Sequence, residues 1–231
     1  MHLCLGGGLL AGSSALIPPV ASLIRKFYRH FLYGSLSADF FVGKGYRTNG
    51  GKCHNWETGM LLWNMASDDE ERSFAAGFLG HLAADTVAHG LFIPCLSRRT
   101  RLPARLEHLY WEWLADCSVS SKESRSFIRT CCFSGNEEVF CRMDSFLCDV
   151  LMLDKNLYLS RKSLYLYSIR FVSNSYAAND LASRKMDEIQ NVSNLYLLRS
   201  LSAMVNVLNL YEASPFLSIS PNYTRRRAIA H

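Results

Sequence analysis

Residues 77–93 read GFLGHLAADTVAHGLFI, an apolar run broken along one stripe by His81, Asp85 and His89. Between Phe74 and Ile93 the only other polar side chain is Thr86. A helix that is apolar nearly all round belongs inside a protein. The i, i+4, i+8 spacing puts the three polar groups on one face of it. A buried carboxylate costs several kcal/mol unless something compensates its charge. Two arrangements do so: the histidines are protonated partners of the aspartate, or a metal ion sits on the stripe. Three ligand-type residues on one face favour the metal.

The neighbouring segments extend the pattern. SDDEE at 67–71 is a helix start: Ser67 or Asp68 can cap the first amides, and acids in the first turn suit the helix dipole. That accounts for the acidic run without assigning it chemistry. In EHLYWEWLAD, His108, Glu112 and Asp116 repeat the i, i+4, i+8 spacing. Acids four apart repel on an ordinary helix, and a cation facing them removes the penalty. Asp116 is then either a partner of a ligand or a solvated helix residue. Asp39 in SADFF is an acid among apolar neighbours, and His54 opens HNWETGMLLWNMA. With His2, five histidines and three carboxylates of this set fall within the first 112 residues. Nitrogen and oxygen donors without thiolate suit more than one zinc, in a hydrolytic rather than a purely structural site.

Composition sets the frame for that set. The 231 residues are 49% hydrophobic and 19% charged, the make-up of a folded protein with a sizeable core. Helical periodicity dominates and strand signals are weak. Helices are expected over 3–15, 20–32 (introduced by Pro18-Pro19), 54–66, 67–92 and 103–120, with a glycine-rich loop over 34–52. Further helices are expected near 136–152, 155–177, 180–192 and 195–212. Residues 1–120 form the metal-site region, and 121–231 a helical half that packs on it and carries no ligand cluster. The eight cysteines form no CxxC pair, as in reduced, cytosolic thiols. The apolar N-terminus lacks a positive leading segment, and Pro18-Pro19 interrupts it, which favours a cytoplasmic protein over a secreted one. A net charge of +5 is compatible with anionic partners and selects none.

The ordered motifs GSLSADF, HNWETG, GFLGHLAADTVAHGLFIP and HLYWEWLAD resemble the zinc-dependent phospholipase C family, an all-helical fold shared in outline with P1-type nucleases. The likeness covers roughly residues 1–120. It implies an all-α bundle with a helical C-terminal extension and a cluster of two or three zinc ions that activates water for attack on phosphorus. By the same resemblance, Asp39, His54 and His81 hold one zinc. Asp85 bridges it to a second near His2, while His89, His108 and Glu112 hold the remaining ion. A ligand role for Asp39 is more economical than orienting or deprotonating the water. Glu57, one helical turn after His54, is placed to orient a ligand. The chain departs from the family in two ways. Met1-His2 stands where the secreted enzymes have a chelating N-terminal tryptophan, and the Asp85–His89 gap is shorter. The implied substrate is a phospholipid or other phosphodiester, with peripheral membrane contact and no specific nucleic-acid signal. Arg98, Arg99 and Arg101 are candidates to grip a phosphate or a membrane surface, against their simpler reading as solvated loop charges. A non-catalytic helical protein with a structural or vestigial metal site, or a P1-type nuclease, is the alternative.

Overall fold

The computed structural model describes residues 16–41, 47–48, 51–52, 54–92, 137–173 and 198–209. Helix α1 (Pro18–Lys26) starts at Pro18-Pro19, where the missing N–H groups cost nothing because first-turn amides have no partner inside the helix. Its first turn is tied down from the far end of the chain: the Ile17 amide donates to Asn209 Oδ1 at 2.8 Å. The helix expected over 20–32 is broken at Phe27, where φ −117° and ψ 40° leave the helical region. A second helix, α2 (Tyr28–Ser37), follows and passes into a 3-10 turn, Ala38–Phe41. The expected loop therefore begins later than residue 34. Gly34 lies inside a helix as a packing residue, with no turn to make.

A two-residue ladder, β1 (Arg47–Thr48) against β2 (Gly51–Lys52), pairs antiparallel with Arg47 opposite Lys52. Helix α3 (Trp56–Met65) is capped by Asn55, whose side chain accepts from the Thr58 amide at 2.8 Å. Helix α4 (Asp69–Val87) is capped by Asp68, which accepts from the Glu71 amide at 3.0 Å. The Glu71 carboxylate reaches back to the Ser67 amide and hydroxyl at 2.8 and 2.7 Å. From Ser73 to Val87 every residue of α4 is buried, as its sequence requires. At its end the backbone widens into a π-helical turn, Ala88–Phe92.

The pairing of α2 with α4 organises this half of the molecule. The contacts advance together along both helices: Phe27 with Ser73, Phe31 with Gly77, Asp39 with His81. The two helices thus run in the same direction, and α3 lies on α4 in the opposite sense. A Cβ on Gly34 would stand 1.9 Å from the Phe74 carbonyl oxygen, and one on Gly77 would stand 1.9 Å from that of Phe31. Only hydrogen fits at either position, so the backbones themselves touch.

Helices α5 (Glu137–Leu151) and α6 (Lys155–Ser173) pack against this layer. Met152, in the left-handed region with φ 51°, turns the chain between them, and Asp154 caps α6 by accepting from the Leu157 amide at 2.8 Å. Asp144 of α5 is 1% exposed yet fully engaged. Tyr33 and Tyr158 each donate to its Oδ1 at 2.6 Å, and Lys162 reaches its Oδ2 at 2.5 Å. Arg142 of the same helix bridges Asp68, Glu70 and Glu71 at the start of α4. A further helix among the described residues, α7 (198–209), adds Met204 and Val207 to the core. The core is one apolar cluster drawing on every helix from α1 to α7. Apart from the short ladder the described chain is all-α, and no helix among the described residues is long and apolar enough to cross a membrane.

In an exposed helix, glycine to alanine adds about 1 kcal/mol of stability. At Gly77 the sign should reverse: Gly77→Ala forces two backbones apart and should cost about 1–3 kcal/mol, a fall in melting temperature of roughly 2–4 °C per kcal/mol. Gly80→Ala is the control, because its Cβ would meet the flexible end of Met204 at 3.0 Å and the Phe31 ring only at ordinary contact distances of 3.7 and 3.9 Å. Thermal melts of the two variants check this, with Gly80→Ala expected to melt no lower than the parent.

Candidate metal centre

Three chain segments deliver polar groups to one end of the α2–α4 pair. The 3-10 turn carries Asp39, the residues before α3 carry His54, and the last turns of α4 carry His81 and Asp85. His54, with 7% of its surface exposed, sits just outside the Asn55 cap. Asn55 fixes the start of α3 directly after His54, its side chain and carbonyl accepting from the Thr58 and Gly59 amides. His81 is completely buried and Asp85 nearly so. The His54 and His81 rings stand nearly perpendicular, with centroids 5.1 Å apart and an interplanar angle of 85°.

The nitrogens and oxygens converge. His54 Nε2 and His81 Nε2 are 3.0 Å apart. Asp85 Oδ2 lies 3.2 Å from the first and 3.5 Å from the second. Asp39 Oδ1 is 3.4 Å from His81 Nε2, and donor atoms of Asp39, His54 and His81 all fall within 4.8 Å of one another. His89, in the π-helical turn, brings its Nε2 to 3.7 Å from the same Asp85 oxygen. That oxygen is thus shared by three imidazoles, from His54, His81 and His89.

Hydrogen bonding alone fits this arrangement poorly. His81 Nε2 carries at most one hydrogen, yet it faces the Asp39 oxygen, the Asp85 oxygen and the His54 nitrogen together. A tetrahedral zinc with bonds of about 2.0–2.1 Å separates its ligands by about 3.3 Å. The spacings of 3.0–3.5 Å match that separation. Charge agrees as well: two carboxylates facing neutral imidazoles carry two negative charges, which one divalent cation offsets. The donor set is nitrogen and oxygen, the hard-to-borderline ligands zinc accepts at hydrolytic sites. The residues present therefore fit the ion.

Other candidates fall differently. Glu57, expected to orient a ligand, is exposed in the first turn of α3, where its charge suits the helix dipole. His2, His108, Glu112, Asp116, Arg98, Arg99 and Arg101 lie outside the described residues. A residue that sequence reasoning missed is Tyr165 of α6, whose hydroxyl donates to Asp39 Oδ2 at 2.6 Å. Its only sequence trace is a Tyr158, Lys162, Tyr165 stripe at i, i+4, i+7, which reads as ordinary helix amphipathicity.

Residues 1–147 match the family described as zinc dependent phospholipase C. The chain belongs to the zinc-dependent phospholipase C family. No curated protein and no solved structure matches it significantly. The family match spans every element that supplies Asp39, His54, His81, Asp85 and His89, and the all-α architecture is that of the zinc-dependent phospholipase C fold. Helix α6, with Tyr165, lies beyond the matched residues.

Without metal, the centre has a defined pH response. Burial lowers the pKa of His81, but the Asp39 and Asp85 carboxylates and a hydrogen bond to the Ser35 backbone outweigh it and raise the value to about 9. A folded-state pKa above the unfolded one gives stability that is complete below pH about 6.5 and is lost as pH climbs through about 9. Metal-free protein should therefore melt at progressively lower temperature between these limits. Added zinc competes with the proton, so it should flatten that decline and bind more tightly as pH rises. Melting curves with and without zinc across that range test both statements.

Proposed function

We propose that this chain hydrolyses phosphodiester bonds of phospholipid head groups at a zinc centre built on Asp39, His54, His81 and Asp85. The observation that carries the reading is the convergence of the His54 and His81 nitrogens, 3.0 Å apart, between two carboxylates at the end of a buried helix. Membership of the zinc-dependent phospholipase C family supports the class of reaction and a lipid substrate. The net charge of +5 suits an anionic lipid surface, where peripheral contact would present the substrate.

In this reading Asp39, His54 and His81 would hold the first ion, and Asp85 would be shared with a second. His89, with His108 and Glu112, would hold a further one, and His2 is a candidate ligand. Bound zinc supplies Lewis-acid chemistry, making water acidic near neutral pH and drawing charge from a phosphoryl oxygen. The protein's part is placement. His81 and Asp85 are immobilised on a buried helix, so the donors need no reorganisation. Asp39 and His54 arrive from separate segments and complete the donor set. Burial around His81 keeps bulk water from competing for the same donors.

Activity on phospholipid vesicles should vanish in a strong chelator and return with zinc. His81→Ala should lower it more than about 100-fold, since even an outer partner of a ligand is worth about 10–100-fold. Hydrolysis that persists undiminished in chelator would contradict the assignment, and zinc-dependent cleavage of single-stranded nucleic acid but not lipid would redirect it to a nuclease.

A further inference from the structure

Helix α6 lies outside the residues that define the family, yet it reaches the metal centre. Its inner stripe is anchored one turn after another. Tyr158 donates to the buried Asp144, and Lys162 reaches the other oxygen of the same carboxylate. Phe40, adjacent to Asp39, packs between the rings of Tyr158 and Tyr165, with centroids 6.1 and 5.5 Å away. The position of Tyr165 is therefore set by the anchored turns of its own helix and by the Phe40 ring.

The consequence falls on Asp39. Tyr165 donates to its Oδ2 at 2.6 Å, while its Oδ1 faces His81 Nε2 at 3.4 Å. The two carboxylate oxygens are assigned to different tasks. One is held by a neutral donor from α6, and the other is offered to the imidazole cluster. Asp39 lies in a short 3-10 turn, is partly exposed, and has no long helix to fix it. Without the phenol it could swing, or engage a cation through both oxygens. We infer that Tyr165 is a positioning residue for the metal centre, which fixes Asp39 as a one-oxygen ligand. This rests on the zinc reading of the centre.

The test uses the full chain and two probes, zinc and cobalt(II). Tyr165→Phe keeps the ring against Phe40 and removes only the hydroxyl. Calorimetric titration with zinc should show affinity about 10–100-fold weaker than the parent, the range for losing an outer partner of a ligand. The cobalt(II) visible bands should weaken as Asp39 turns to bind through both oxygens. In an Asp39→Asn background the same substitution should change zinc affinity less than about twofold, because the group it acts through is altered. Equal zinc affinity and an unchanged cobalt spectrum in Tyr165→Phe would overturn the inference. So would a loss of the same size in both backgrounds, which would mark a merely structural role. A parent protein that binds neither ion would overturn the zinc reading itself and this inference with it, whereas a parent that binds while Tyr165→Phe binds equally well defeats only the latter.

Discussion

The metal centre depends on two helix backbones touching. At Gly34 and Gly77 any side chain would collide with a carbonyl oxygen, so α2 and α4 lie closer than ordinary helix packing allows. One turn beyond that contact, the chain on one side delivers Asp39 and the helix on the other delivers His81. Because the two helices are parallel, their ends coincide, and α3 must enter at the same end to run back down. His54 sits at that entrance. The convergence of three segments on one point is thus a consequence of one close approach and of the direction in which each helix runs.

A second constraint is electrostatic. Asp85 is nearly buried beside His81, which is wholly so, and unpaired charge there would be costly. The cluster offsets its own charge in the absence of metal by keeping His81 protonated, and a divalent cation does so more completely. The buried Asp144 shows the contrasting solution in the same protein: two phenols and one lysine satisfy its oxygens, with no imidazole in the set. One carboxylate is closed by neutral and cationic donors and holds helices together. The other faces three imidazole nitrogens, which suits a metal.

Much of this is legible in the sequence where chemistry and periodicity coincide. The His81–Asp85–His89 stripe stands out because ligand-type residues sit on a helix with no solvent-facing side, and the structure buries that helix on all sides. Asp39, an acid among apolar neighbours, and His54, at a helix start, are unremarkable alone and become specific only through the order of motifs. The rest is hidden for identifiable reasons. Gly34 looks like a loop residue because glycine is read as a breaker, whereas here the missing Cβ serves packing. The widened turn at Ala88–Phe92 leaves no mark in a side-chain pattern, yet it sets where His89 points. Glu57 has ligand chemistry and a plausible spacing, and its exposure in the first turn of α3 is explained equally by the helix dipole. Tyr165 belongs to a contact between residues 126 positions apart, which no periodicity reveals.

The most direct measurement is X-ray absorption at the zinc edge on the full chain loaded with zinc. The arrangement predicts only nitrogen and oxygen neighbours at about 2.0–2.2 Å, with the outer-shell scattering of at least two imidazoles. A sulfur shell at about 2.3 Å, or a spectrum without imidazole scattering, would place the ion elsewhere and contradict the account.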